Sequence, residues 1–149
     1  MRVGDFSHLL EDMAGTLLLW LLFEDALPGW RTPLAVLAGS LAVGLGLLLG
    51  DPLVGWYVGI SGALDTLWAA GSLILIRRRD RFGWILISLL LLKLAYEQLW
   101  GPLPFSVQTT GGNVVVDAHL YGAFAGALIG FGGALPWHRI MRGFTPSGD

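Results

Sequence analysis

Five long apolar runs, separated by short polar stretches, organise the whole chain. They cover roughly residues 6–23, 33–50, 60–76, 82–100 and 116–136, and each approaches the ~20 residues that carry a helix across a bilayer. The pattern predicts an all-α fold, a polytopic membrane bundle of five transmembrane helices. Residues 1–149 would form one transmembrane domain, with 137–149 as a short cytoplasmic tail. Composition agrees: 54% of residues are hydrophobic, only 13% are charged and 22 are glycine, with a mean hydropathy of +0.67.

The nine Lys and Arg give the bundle a direction. Arg31 lies between the first and second runs, Arg77, Arg78, Arg79 and Arg81 between the third and fourth, and Arg139 and Arg142 after the fifth. The alternate loops, about 51–59 and 101–115, carry none. The positive-inside rule therefore puts the Arg-bearing loops in the cytoplasm and the N-terminus outside. Trp30, Trp56, Trp84, Trp100 and Trp137 fall near span ends, where interfacial anchors belong. The expected location is the cell's inner membrane, with the lipid bilayer as the first partner.

Charge and cysteine usage narrow the function. A net charge of −2, with no basic run interleaved with aromatics, argues against nucleic acid as a partner. The absence of cysteine excludes disulfides and thiolate metal sites, and no metal or other cofactor is expected. Asp5, His8, Glu11 and Asp12 interrupt what would be the start of a cleaved signal peptide.

An ionisable residue inside a span is costly and so marks a functional candidate. His119, in Val116-Asp-Ala-His-Leu-Tyr-Gly-Ala-Phe-Ala-Gly126, is the foremost of these. From it Gly122, Gly126 and Gly130 follow at helical spacing, a small-residue ridge that admits another helix at close range. Spans one, three and five run inward from the outer face, and His8, Ser61 and His119 each fall near the outer end of one of them. At a rise of about 1.5 Å per residue they share one depth, about a turn below the surface.

Ser61 stands in Gly59-Ile60-Ser61-Gly62. A serine hydroxyl is a weak nucleophile until a base takes its proton, and His119 supplies an imidazole at the right depth. Gly59 and Gly62 leave the hydroxyl open, and the amides of an exposed helix start can help hold an oxyanion. A lone Ser-Gly pair in a membrane helix ordinarily serves packing; its coincidence in depth with His119 favours a Ser–His dyad.

Gly59-x-Ser61-Gly62 on one span, followed two spans later by Ala118-His119-x-x-Gly122-x-x-x-Gly126, resembles the catalytic pair of the rhomboid intramembrane serine proteases. Phe6-Ser-His-Leu-Leu-Glu-Asp12 is similar to the family's histidine, three residues, then asparagine on an earlier span, with Asp12 in place of the asparagine. The resemblance implies an oxyanion role for His8, with Asp12 and Ser61 at the same place. Lys93-Leu-Ala-Tyr-Glu-Gln98 ahead of Val114-Val-Val-Asp-Ala-His-Leu-Tyr-Gly-Ala123 looks most like the rhombosortase branch. That branch implies processing of surface proteins bearing a C-terminal Gly-Gly, transmembrane helix and basic cluster. The family core has six spans and this chain offers five. The family's first helix is therefore expected to have been lost or to lie upstream of Met1. Asp65 stands where many rhombosortases have a histidine.

Other polar residues have plainer readings. Asp65, one turn after Ser61, could orient His119 as a third member but more often such a residue is a buried hydrogen-bonding partner. Lys93 and Glu97 are spaced i,i+4 and can neutralise one another as a structural pair. Asp117 is placed to cap the fifth helix. Two rival functions are a rhomboid-like protein that binds membrane helices without cutting them, motivated by Asp12, Asp65 and the missing span, and a small transporter using Asp65, Lys93, Glu97 and His119. The transporter is disfavoured because these groups, Asp65 apart, crowd toward the outer half, whereas a transport path bridges both sides.

Overall fold

The computed structural model describes residues 3–50, 60–104, 107 and 114–132, with side chains described from Leu9 onward. Among them are five helices and no strand: α1 (Val3–Phe23), α2 (Arg31–Gly50), α3 (Ser61–Arg77), α4 (Arg81–Trp100) and α5 (Val116–Gly132). Four of the five apolar runs thus map onto helices to within three residues. The fifth was expected to reach 136, but α5 is described only to Gly132, and the 137–149 tail lies outside the described residues.

Two helices, α2 and α4, are long and apolar enough to cross a membrane by length and composition alone. The distribution of side chains also runs opposite to that of a water-soluble bundle. Leu37, Leu41, Leu45 and Leu48 of α2 and Ile85, Leu89 and Leu92 of α4 face outward, while Asp65, Thr66, Ser72, Glu97 and His119 are buried. Exposed contiguous apolar surface around a polar interior is stable against hydrocarbon and not against water.

Turn chemistry sets the breaks. Gly29, at φ 59°, lies in the link between α1 and α2. Between α3 and α4 the chain reverses within three residues through Arg79, at φ 63°, and Asp80, whose side chain accepts from the Phe82 amide at 2.9 Å and caps α4.

The central helix is α3, which packs against all four others. Ten of its residues are buried, from Gly62 to Ser72. Contacts fix the directions. Leu64 meets Gly15 and Phe23 meets Gly71, so α1 runs parallel to α3. Gly62 meets Gly122 and Thr66 meets Gly126, so α5 is parallel to it as well. Lys93 meets Asp65 and the Trp68 indole donates to the Leu86 carbonyl at 2.9 Å, so α4 is antiparallel. Gly39 against Thr66 and Val43 against Gly62 make α2 antiparallel too. Consequently the N-terminal ends of α3 and α5 lie together with the C-terminal end of α4.

The α3–α5 contact depends on missing side chains. A Cβ at Gly122 would fall on the carbonyl oxygen of Gly62, and one at Gly126 on that of Thr66. With the backbones this close, the Thr66 hydroxyl donates to the Gly122 carbonyl at 2.8 Å. At the far end, the Arg77 guanidinium donates to the carbonyls of Gly130 and Phe131 at 3.0 and 2.8 Å, satisfying the last turn of α5 where a cation is favoured by the helix dipole.

Candidate functional site

Ser61 is the first residue of α3, preceded by Ile60, which offers no side-chain cap. Its hydroxyl therefore sits at the positive end of the helix dipole. His119 is in the first turn of α5, 4% exposed. Parallel packing of the two helices at Gly62 and Gly122 brings Ser61 Oγ to 3.1 Å from His119 Nε2. The other ring nitrogen, Nδ1, lies 2.8 Å from Glu97 Oε2 in the last turn of α4. Paired with an ionised carboxylate, which only accepts, Nδ1 would carry the proton and Nε2 would present its lone pair to the serine hydroxyl.

Glu97 is 1% exposed and has a second partner, Lys93 Nζ, at 3.0 Å. The i,i+4 pair expected from spacing therefore forms. The same ammonium reaches Asp65 Oδ2 at 2.8 Å. Asp65 was considered as the acid that orients His119; in the structure that position belongs to Glu97, and Asp65 binds Lys93 instead. The physical reason is rotation about the helix axis: Asp65, a turn deeper than Ser61, faces α4. The four groups a transporter would need are thus one connected cluster, Asp65 to Lys93 to Glu97 to His119.

An open cavity of about 220 Å³ leads to the pair. Its walls include Glu11, Asp12, Gly15 and Leu18 of α1, Ser61, Asp65 and Trp68 of α3, Lys93 of α4 and His119. Asp12 thus shares a cavity with the serine and the histidine. Beside it, a second opening of about 380 Å³ lined by Leu9, Met13, Leu17, Trp20 and Ile60 also reaches Asp12. The His8 side chain and Gly59 lie outside the described residues, so their expected roles have no geometry here.

Gly62 has a different place from that expected of it. It is buried, and a Cβ there would meet the Ala118 carbonyl, so it admits α5 rather than opening the hydroxyl. Asp117 also differs from expectation: it lies inside α5 rather than capping it, and accepts from Gln98 Nε2 at 3.2 Å. That bond ties α4 to α5 within two residues of the Glu97–His119 contact on each helix. Among the described residues no group of three or more His, Asp and Glu is arranged to hold a metal ion.

A family model for the Rhomboid domain matches residues 3–135, nearly the whole chain. The chain belongs to the rhomboid family. Rhomboids are serine intramembrane proteases that act on membrane proteins within the bilayer, so this is a member of a membrane-protein family. No curated protein and no solved structure matches the chain. The i,i+4 spacing of Glu97 to Lys93 suggests only a structural pair. A further signal was present: the C-terminal end of α4 lies beside the N-terminal end of α5, so position 97 is level with His119.

Proposed function

We propose that this rhomboid is an active intramembrane serine endopeptidase in which Ser61 is the nucleophile and His119 the general base. The observation that carries the reading is the 3.1 Å separation of Ser61 Oγ and His119 Nε2 beside an open cavity. In the first half-reaction His119 takes the serine proton as Oγ attacks the scissile carbonyl. Negative charge then develops on the carbonyl oxygen, close to the start of α3 and to Asp12, with His8 on the same helix as Asp12. Collapse breaks the peptide bond, and His119 returns the proton to the leaving amine. Water, deprotonated by the same imidazole, then attacks the acyl carbonyl, and Ser61 Oγ leaves as it takes the proton back from His119.

The rhombosortase-like motifs at Lys93–Gln98 and Val114–Ala123 support a finer assignment. The substrates are surface proteins anchored by a C-terminal transmembrane helix and cut near a Gly-rich segment just outside it. In this reading all five helices span the inner membrane, with the N-terminus and the site at the outer face, as the Arg distribution implies.

A serine-directed fluorophosphonate tests the site without a known substrate. Labelling is expected at Ser61, and is expected to be absent in Ser61→Ala and lost in His119→Ala. Continued cleavage of a membrane-anchored reporter by Ser61→Ala would remove the nucleophile assignment.

A further inference from the structure

A Ser–His dyad needs no third group, yet the imidazole here is held from both sides. Glu97 Oε2 lies 2.8 Å from Nδ1 while Ser61 Oγ lies 3.1 Å from Nε2. Glu97 is 22 residues away from His119 and on another helix, so the contact is built by tertiary packing and not by local geometry. The carboxylate is almost fully buried, and an isolated buried charge is strongly unfavourable. Lys93 supplies the compensation, and its ammonium is bound in turn by Asp65.

The Nδ1 contact carries the argument, and charge supports it. When both carboxylates are ionised, Asp65 and Glu97 bring two negative charges to the one positive charge of Lys93. With His119 neutral the ionised cluster is one unit negative; when the ring takes the serine proton, it becomes neutral. Carriage of that proton is therefore favoured by the whole cluster in the step that forms the tetrahedral intermediate. Lys93 itself is unsuited to act as the base, because its protons are already engaged by two carboxylates.

We infer that Glu97 is the positioning residue of a Ser61–His119–Glu97 triad, clamped by Lys93 and Asp65. Resting on the dyad reading, it assigns to Glu97 the choice of ring tautomer and the stabilisation of the imidazolium, as the acid does in other serine hydrolases. Among the described residues, the other charged groups near the ring are Glu11 and Asp12, across the cavity on α1, and Asp117 on α5, which is bound to Gln98.

Glu97→Gln preserves shape and removes the charge. The test compares the rate of fluorophosphonate labelling at Ser61 per folded molecule, across pH, in the intact protein and in Glu97→Gln and Glu97→Asp. The expected outcome is a fall of about 10²- to 10⁴-fold in Glu97→Gln, with partial recovery in Glu97→Asp. The acid limb of the profile is expected to move to lower pH in Glu97→Gln, because the imidazolium loses its anionic partner. A residue needed only for folding would change the yield and leave both the rate per folded molecule and the limb unmoved, which would overturn the inference.

Should Glu97→Gln not fold, nitrogen-15 spectra of the histidines in the native protein decide the matter, with His119 assigned by its loss in His119→Ala. A neutral ring protonated at Nδ1 is expected, and one protonated at Nε2 would overturn the triad. Failure of the native protein to label at Ser61 would instead overturn the protease reading, so the two failures are distinct.

Discussion

At the residue scale the chemistry rests on one imidazole with two partners. In the proposed dyad Ser61 and His119 act as a unit, so Ser61→Ala, His119→Ala and the double variant are expected to have nearly the same residual activity on a membrane-anchored reporter. Multiplying losses would show that the two act separately. Asp12 offers a test of opposite sign. It shares the cavity with Ser61, but a carboxylate must be protonated before it can donate to an oxyanion. Asp12→Asn places a permanent donor there and is expected to raise kcat at neutral pH, by up to the ~10²- to 10³-fold that one oxyanion donor supplies. Unchanged or lower kcat would remove Asp12 from the oxyanion site.

At the scale of elements, the α3–α5 contact positions the dyad. Gly122 meets the backbone of Gly62, next to Ser61, and backbone cannot swing aside as a side chain does. Gly122→Ala is therefore expected to cost about 1–3 kcal/mol and to slow Ser61 labelling, because the first turn of α3 must shift. Gly44→Ala is the matched control: nothing lies within 4 Å of a Cβ at that position on α2, and alanine is the better helix former. Reversible unfolding in mixed micelles should show the first variant destabilised and the second unchanged or stabilised. Equal stabilities would mean that the helices are not in close contact at Gly122. The ridge Gly122, Gly126 and Gly130 was legible as a packing face from its spacing, but not which helix it meets or at what register.

At the scale of the whole molecule, orientation decides which side of the membrane is processed. In this cysteine-free chain, cysteines introduced at Ser106 and Gly112 are expected to react with an impermeant maleimide from outside, and one at Arg79 is not. The reverse pattern would turn the dyad toward the cytoplasm. The substrate prediction follows from the site's recessed position. A transmembrane substrate has to unwind locally, since a helical carbonyl is internally bonded, and glycine makes that extension easy. Replacing the Gly pair of a reporter by Val-Val is expected to slow release sharply, with the new C-terminus located by mass spectrometry. Equal processing of both, or a cut on the cytoplasmic side, would refute the surface-processing assignment.

Sequence alone determined the helices, because hydrocarbon length and apolar run length are the same constraint. It also set how far along their helices Ser61 and His119 lie, since depth along a helix is a count of residues from its end. Depth leaves rotation about each helix axis open, and rotation is what chose Glu97 over Asp65 at His119 Nδ1. Gly62 likewise read as space around a hydroxyl and proved to be space for α5. Only the tertiary structure could decide these points, because each depends on side chains of different helices meeting at one position: the Glu97 oxygen that meets His119 Nδ1 also meets Lys93, whose ammonium reaches Asp65 as well.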